Sequence, residues 1–129
     1  MWPSPCNPVD AIYYPSPVES PDEEFIKPLG SGIDLWPTTA TNYTWTLACC
    51  KLDQLASWFI NTTNRDTFAH LSHTFTHLNL DNATYHDASR EIYFNQAWLN
   101  QVGISSGKFS KNGIIPPAIT GLHNGDVIK

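Results

Sequence analysis

The sequence predicts an α/β fold in which helices alternate with strands that run parallel to one another. After residue 42, a helical pattern, a short apolar run, a second helical pattern and a second apolar run follow in order. This alternation is typical of parallel α/β layering, and it places functional loops at the carboxyl ends of the strands. A hydrophobic fraction of 41% over 129 residues is enough for one packed core.

Proline divides the chain into an irregular N-terminal segment, residues 1–37, and an α/β domain, residues 38–129. Eight of the ten prolines precede residue 38. Because proline fixes φ and lacks a backbone donor, this segment is predicted to contain neither long helices nor central strands. One helical turn is predicted within it, from Ser20 as N-cap to Ile26, with Glu23 completing a capping box.

The first helix of the domain is predicted at residues 46–60. Its apolar residues repeat at intervals of three and four, as one face of an amphipathic helix requires. We expect this face to point toward the core. The predicted buried stripe consists of Ala48, Leu52, Leu55 and Phe59.

Two strands and a second helix complete the predicted domain. The strands are predicted at residues 68–73 and 113–115, the second of which enters a proline turn. Between them, Thr84 and Asp87 form a capping box that starts a helix, and Gly103 ends it. The predicted buried stripe of this helix consists of Ala88, Ile92, Leu99 and Val102.

Two histidines, His73 and His77, stand four positions apart where the first predicted strand ends. On a helical turn, side chains at this spacing lie about 5–6 Å apart, which suits two imidazoles that bind one ion at about 2.0–2.1 Å. Structural or surface histidines are the alternative, because a chain with five histidines can contain such a spacing by chance. A catalytic zinc site takes three protein ligands, and Asp81 is either a candidate for the third or a loop residue.

The charge and hydropathy of the chain argue against a nucleic-acid partner and against a membrane-spanning segment. A formal net charge of -5, with seven Lys plus Arg and no basic run, argues against binding to nucleic acid. No stretch approaches about 18 consecutive apolar residues, so the sequence predicts no membrane-spanning segment.

Three N-glycosylation sequons, at Asn42, Asn61 and Asn82, favour a secretory route. Accidental sequons are the alternative, since Asn and Thr are also common turn and cap residues. The residues after Met1 lack both the basic start and the apolar core of an export signal. We therefore expect the natural N-terminus to lie upstream, and the chain to be a fragment of a secreted or cell-wall protein.

Three cysteines allow at most one disulfide within the chain. Cys49 flanks the apolar stripe of the first predicted helix, whereas Cys50 lies on a polar flank. We predict a bridge between Cys6 and Cys49, which would attach the N-terminal segment to this helix. Free buried thiols are the alternative.

Residues 68–77, FAHLSHTFTH, resemble the second metal motif of NodB-type polysaccharide deacetylases. The chain is similar, more narrowly, to the fungal extracellular galactosaminogalactan deacetylase family. This similarity runs through residues 24–30, 36–38, 94–99 and 114–126, so it covers most of the chain.

The resemblance implies a partial (β/α) barrel that removes acetyl groups from N-acetylhexosamine units of a secreted polysaccharide, using a divalent metal ion, usually zinc. His73 and His77 match the two metal-binding imidazoles of the family. The family also uses two aspartates from an earlier strand, as third ligand and as base, and neither has a counterpart before residue 73. His123 resembles the late acid of the family only superficially, and we expect it at the surface. Asn124 is predicted either to face a sugar hydroxyl or to form a turn.

The first functional hypothesis is a fragment of a secreted, metal-dependent polysaccharide N-deacetylase that lacks part of its catalytic machinery. The alternative is a non-catalytic secreted domain that binds glycans or another protein. In that alternative, Trp36, Trp45 and Trp98 would supply stacking surfaces.

Overall fold

The structure is a computed structural model that describes residues 27–129. The predicted helical turn at residues 20–26 therefore lies outside the described residues, and the predicted division at residue 37 stays a prediction. The elements in chain order are α1 (Leu47–Cys50), α2 (Gln54–Ile60), α3 (Thr62–Arg65), β1 (His70–Ser72), α4 (Tyr85–Gln101), β2 (Phe109–Ile114), a 3₁₀ turn (Pro117–Ile119) and α5 (Gly125–Ile128).

The strands β1 and β2 pair in parallel, with α4 as the crossover between them. His70 lies opposite Phe109 and Ser72 lies opposite Ile114, so the register is irregular between these pairs. The first strand is shorter than the predicted run 68–73, and the second begins before the predicted residue 113. The parallel pair confirms the α/β class. Two strands do not define a barrel, which stays a prediction.

Helix α4 begins and ends where the sequence predicts. The Thr84 hydroxyl accepts a hydrogen bond from the Asp87 amide at 3.0 Å, and the Asp87 carboxylate accepts one from the Thr84 amide at 3.3 Å. This reciprocal pair is a capping box that satisfies two of the free amides at the helix start. Gly103 follows the helix with a φ of 79°, a left-handed conformation that glycine adopts without steric cost.

The buried face of α4 differs from the predicted stripe. Ala88, Leu99 and Val102 are buried as predicted, but Ile92 is 38% exposed. The helix instead buries a row of polar side chains spaced four residues apart, together with Phe94. The row consists of Asp87, Glu91 and Asn95. Hydrophobic periodicity could not identify this row, because its members are buried through hydrogen bonds and not through apolar contact.

The predicted helix at residues 46–60 is wrong in its middle. Helices α1 and α2 are separate, because the Asp53 side chain accepts a hydrogen bond from the Ala56 amide at 2.7 Å and starts a new helix. Two members of the predicted stripe, Leu52 and Leu55, are 54% and 66% exposed. Their exposure shows that the α1–α2 segment does not pack on the core through the predicted face.

Helix α1 does contribute its two adjacent cysteines to the interior. Cys49 is disulfide-bonded, and Cys50 is a free thiol that is 5% exposed. Cys6, the predicted partner of Cys49, lies outside the described residues, so the Cys6–Cys49 pairing stays a prediction. Cys50 packs with Leu99, Val102 and Ile104 in one of the two apolar clusters of the described residues.

An aromatic cluster around Phe94 joins α4 to the segments that precede and follow β1. Phe94 is fully buried, and its ring centroid lies between 4.8 and 6.1 Å from those of four rings outside α4. Such separations are typical of favourable edge-to-face and tilted contacts. The four rings belong to Trp36, Tyr43, Trp45 and Phe75.

We expect Phe94→Ala to lower the free energy of unfolding by about 3–5 kcal/mol, because it removes a fully buried ring and leaves a cavity. The matched control is Ile92→Ala on the same helix, which removes a side chain that is 38% exposed and should cost less than about 1.5 kcal/mol. Urea unfolding followed by circular dichroism measures both. Equal losses in the two variants would contradict this account of the core.

Candidate metal centre

The two predicted metal-binding histidines lie side by side on the loop that follows β1. The ring centroids of His73 and His77 are 4.9 Å apart, with an angle of 76° between the ring planes. Both side chains are exposed to solvent. Two rings at this separation can each direct a nitrogen to one shared ion at about 2.0–2.1 Å.

The loop achieves this proximity without a helical turn. The structure has no helix at residues 73–77, and two residues of this segment have left-handed backbone conformations. The φ angles of Thr74 and His77 are 64° and 63°. Left-handed conformations of residues other than glycine cost about 1–3 kcal/mol and persist only where surrounding contacts enforce them. Contacts from neighbouring elements therefore have to hold this loop.

The contact that holds the loop is the carboxylate of Glu91. It accepts hydrogen bonds from the Phe75 amide at 2.7 Å and from the Thr76 amide at 2.8 Å. The Thr76 hydroxyl donates a third, short hydrogen bond to the other carboxylate oxygen. All three donors lie between the two histidines in the sequence, and Glu91 itself is fully buried.

Burial decides the electrostatics of this carboxylate. Removal from water raises the pKa of Glu91 above its ordinary value of 4.5, because desolvation disfavours the charged form. The hydrogen bonds from Thr76 and Phe75 act in the opposite direction and lower the pKa, but they do not fully offset the burial.

The end of the second strand fixes the orientation of one imidazole. The His73 Nδ1 atom lies 2.7 Å from the Ile115 carbonyl oxygen, which directly follows β2. A carbonyl oxygen only accepts, so Nδ1 carries the proton and Nε2 is left as the nitrogen that can bind a metal. Metal-binding histidines characteristically donate their second ring nitrogen to a backbone carbonyl in this way.

The side chain of Asn95 secures the strand that leads into the loop. Its amide oxygen accepts a hydrogen bond from the Ser72 hydroxyl at 2.8 Å, and both residues are buried. Ser72 directly precedes His73. The last residue of β1 and the loop after it are therefore both attached to α4.

No third ligand joins the two imidazoles within residues 27–129: no Asp, Glu, Cys or further His there forms a group of three with them. Asp81, the candidate from the sequence, has a different role. Its carboxylate accepts a hydrogen bond from the Gly121 amide at 2.9 Å. The donor chemistry and orientation of His73 and His77 fit a divalent ion, and the described residues supply these two ligands for it.

One other group in the described part of the chain has the composition of a metal site. It consists of Asp34, His86 and Asp87, whose ligand atoms all lie within 4.8 Å of one another. Hydrogen bonds within the protein already account for it: His86 Nδ1 lies 3.0 Å from Asp34, and Asp87 accepts from the Leu35 and Trp36 amides. Burial raises the pKa of Asp87, whereas the hydrogen bond with His86 lowers the pKa of Asp34.

Asn124 does not face solvent as the sugar-binding prediction requires. Its side chain is fully buried, and its amide nitrogen donates to three backbone carbonyls, those of Leu80, Asp81 and Ala83, at 2.8–3.1 Å. Its amide oxygen accepts from the Asp126 amide at 3.0 Å. These four bonds give Asn124 a structural role as the N-cap of α5. The neighbouring His123 is exposed, as expected.

Two of the three sequon asparagines, Asn42 and Asn61, are exposed. Asn82 is half-buried, and its side-chain oxygen accepts a hydrogen bond from the Lys27 ammonium group. Asn61 also caps α3, since its side chain accepts from the Thr63 amide at 3.0 Å. Glycosylation at the three sites stays a prediction.

The tryptophans do not form the exposed stacking surface that the glycan-binding alternative requires. Trp36 is 3% exposed, and its indole N–H donates to the Ala40 carbonyl at 2.7 Å. Trp45 and Trp98 are half-buried, and Trp98 packs against an apolar cluster. These three tryptophans therefore give no support to the glycan-binding alternative.

None of the helices found in residues 27–129 combines the length and the apolar character that a membrane crossing requires.

Comparisons with known proteins identify related sequences and structures. The profile of a family described as the Agd3 deacetylase domain matches residues 3–129. Among solved structures, the chain is similar to a protein described as Agd3, a novel carbohydrate deacetylase, with 57% identity and a TM-score of 0.86. The match covers 93% of this chain and 19% of that protein, so the chain spans about a fifth of its relative. No curated protein matches.

The raised pKa of Glu91 predicts a specific pH dependence of stability. A group whose pKa is higher in the folded state stabilises the fold fully below its unfolded pKa, and this contribution is lost as pH rises through the folded pKa. In metal-free protein, the free energy of unfolding of the wild type minus that of Glu91→Gln should therefore be largest below about pH 4.5 and decrease toward neutral pH. Denaturant titrations at several pH values measure it. A difference that increases with pH would show that the amide donors outweigh burial.

Proposed function

The chain belongs to the Agd3 deacetylase domain family, and on this premise we propose that it is part of a polysaccharide deacetylase that removes acetyl groups from N-acetylhexosamine polymers. The observation that supports the site is the adjacent pair of exposed imidazoles, 4.9 Å apart, on the loop after β1. The related structure is a carbohydrate deacetylase with 57% identity over nearly the whole of this chain.

In this proposal, His73 and His77 hold a divalent metal ion, with zinc as the first choice for imidazole ligands. When bound, the ion supplies a Lewis acid for the acetyl carbonyl and a nucleophile at neutral pH. The residues of this chain provide the orientation: the Ile115 carbonyl fixes the tautomer of His73, and the loop brings His77 beside it.

In this proposal, the remaining chemical groups come from residues outside the described part of the chain. Amide hydrolysis needs a base and an acid, each of which contributes about 10²–10⁴ in rate when correctly positioned. Within residues 27–129, no carboxylate stands in a group of three with the two histidines. The chain spans about a fifth of its related structure. A longer protein of that kind has further residues that can supply the third ligand and the base.

The position of the site suits a polymeric substrate. Both histidines are exposed at the end of the strand pair, where a long chain can approach without entering a closed pocket. Two further observations support a secreted or cell-wall location. Cys49 is disulfide-bonded, and disulfides persist in oxidising compartments. The sequon residues Asn42 and Asn61 are exposed, as glycan attachment requires.

We expect His73→Ala and His77→Ala each to weaken zinc binding by the 129-residue chain by at least about tenfold, because each removes one of two ligands. His123→Ala is the matched control, since it removes an exposed histidine outside the site. Isothermal titration calorimetry measures the affinities. Equal affinity in the wild type and both site variants would exclude this metal site.

We expect the chain alone, supplied with zinc, to release acetate from a partly acetylated hexosamine polymer at a rate close to background. The physical reason is the absence of a positioned base and third ligand from the described residues. An enzymatic acetate assay measures this rate. Rapid turnover that is abolished by His77→Ala would show that residues of this chain complete the site.

A further inference from the structure

Helix α4 uses its buried polar row to hold three different parts of the chain. Asp87 holds the backbone at residues 35–36, and Asn95 holds the end of β1. Glu91, which lies between them, holds the segment between the two histidines. Each member therefore has a distinct target, so the consequences of changing one can be separated from those of changing another.

A fully buried carboxylate at a core position makes an unfavourable contribution to the free energy of folding. Desolvation of an ionised group costs several kcal/mol, and a well-packed apolar residue of similar volume usually costs less. All three hydrogen bonds to Glu91 come from Phe75 and Thr76. These three hydrogen bonds thus all go to the two residues that separate Thr74 from His77.

Those two residues set the path of the loop. The loop turns through left-handed conformations at Thr74 and at His77, immediately before and immediately after the pair that Glu91 binds. The Phe75 ring also anchors this segment, because its centroid lies 5.3 Å from that of Trp45 and 5.6 Å from that of Phe94. A loop fixed at its midpoint in this way holds its flanking imidazoles in one relative position.

We propose that Glu91 is a positioning residue for the divalent ion, which acts by locking the loop so that His73 and His77 converge before the ion binds. This inference rests on the proposed metal site at the two histidines. Glu91 does not touch the ion in this proposal. It reduces the conformational freedom that the two ligands would otherwise lose on binding.

The test compares the affinity for Co²⁺, added as the chloride, in the wild-type chain and in Glu91→Gln. Glutamine has nearly the same volume but only one acceptor oxygen, and it places an NH₂ group against backbone or hydroxyl donors. We expect the variant to bind Co²⁺ about 10–100-fold more weakly, the usual effect of losing a group that orients metal ligands. Visible absorption of bound Co²⁺ reports the coordination directly.

The matched control is Asp87→Asn on the same helix. Asp87 is also fully buried and also accepts backbone hydrogen bonds, but its targets are Leu35 and Trp36. The control should lose stability and keep the Co²⁺ affinity of the wild type, with the folded fraction of every sample determined by circular dichroism. Equal weakening in both variants would overturn the proposal, since it would indicate a general effect on the fold.

A milder variant keeps the proposal testable if Glu91→Gln does not fold. Thr76→Val removes only the hydroxyl donor to Glu91, and we expect it to weaken Co²⁺ binding about three- to tenfold. If Glu91→Gln folds and binds Co²⁺ with wild-type affinity, the positioning role is overturned. If Glu91→Gln does not fold, wild-type affinity in Thr76→Val overturns it. A separate result would refute the metal site itself: Co²⁺ affinity that is unchanged in both His73→Ala and His77→Ala.

Discussion

The hydrogen bonds between the Glu91 carboxylate and the loop after β1 are the interaction on which the candidate site depends. Hydrogen bonds to a charged group contribute about 1.5–3 kcal/mol each. Desolvation of Glu91 opposes this gain, so the main effect of the three bonds is to keep Thr74 and His77 in their left-handed conformations. Without these hydrogen bonds, we expect residues 73–77 to relax into an ordinary extended connection, so that the imidazoles of His73 and His77 separate.

Other buried carboxylates in the described residues also accept hydrogen bonds from the backbone of irregular segments. Asp87 holds residues 35–36 against the start of α4. Asp126 accepts hydrogen bonds from the amides of Gly30 and Gly32 at 2.9–3.2 Å. A chain with short strands and long connections has many backbone donors outside regular structure, and buried acceptors satisfy them. This explains how residues 27–129 keep their loops in defined positions around a two-stranded sheet.

The sequence predicts those features whose cause is local. The cap of α4 at Thr84 and Asp87 and its end at Gly103 are consequences of neighbouring residues, and the structure contains both. The spacing of His73 and His77 allows their rings to meet, as they do in the structure. The predicted helical geometry of the pair is different, because the loop conformation is imposed by Glu91 from another element. Apolar spacing alone also placed Leu52, Leu55 and Ile92 in the core, although long-range packing leaves them exposed.

Some roles could not be predicted from a single sequence, because they depend on which residue approaches from a distance. From the sequence, Asn124 is predicted either to form a turn or to bind a sugar. Its structural role comes from hydrogen bonds to the distant carbonyls of Leu80, Asp81 and Ala83. Glu91 carries no motif, although its place four residues after Asp87 on a capped helix is a usable signal. A polar residue at that interval on a buried face indicates a backbone target across the core.

A long-range ¹H–¹⁵N spectrum of the histidine side chains, recorded during a zinc titration, shows directly whether the loop presents His73 and His77 to one ion. We expect His73 to be the Nδ1–H tautomer before zinc is added, and the Nε2 signal of His73 to shift together with a ring-nitrogen signal of His77 at the same zinc concentration. A spectrum in which His73 is the Nε2–H tautomer, or in which His86 responds to zinc while His73 and His77 do not, would contradict this expectation.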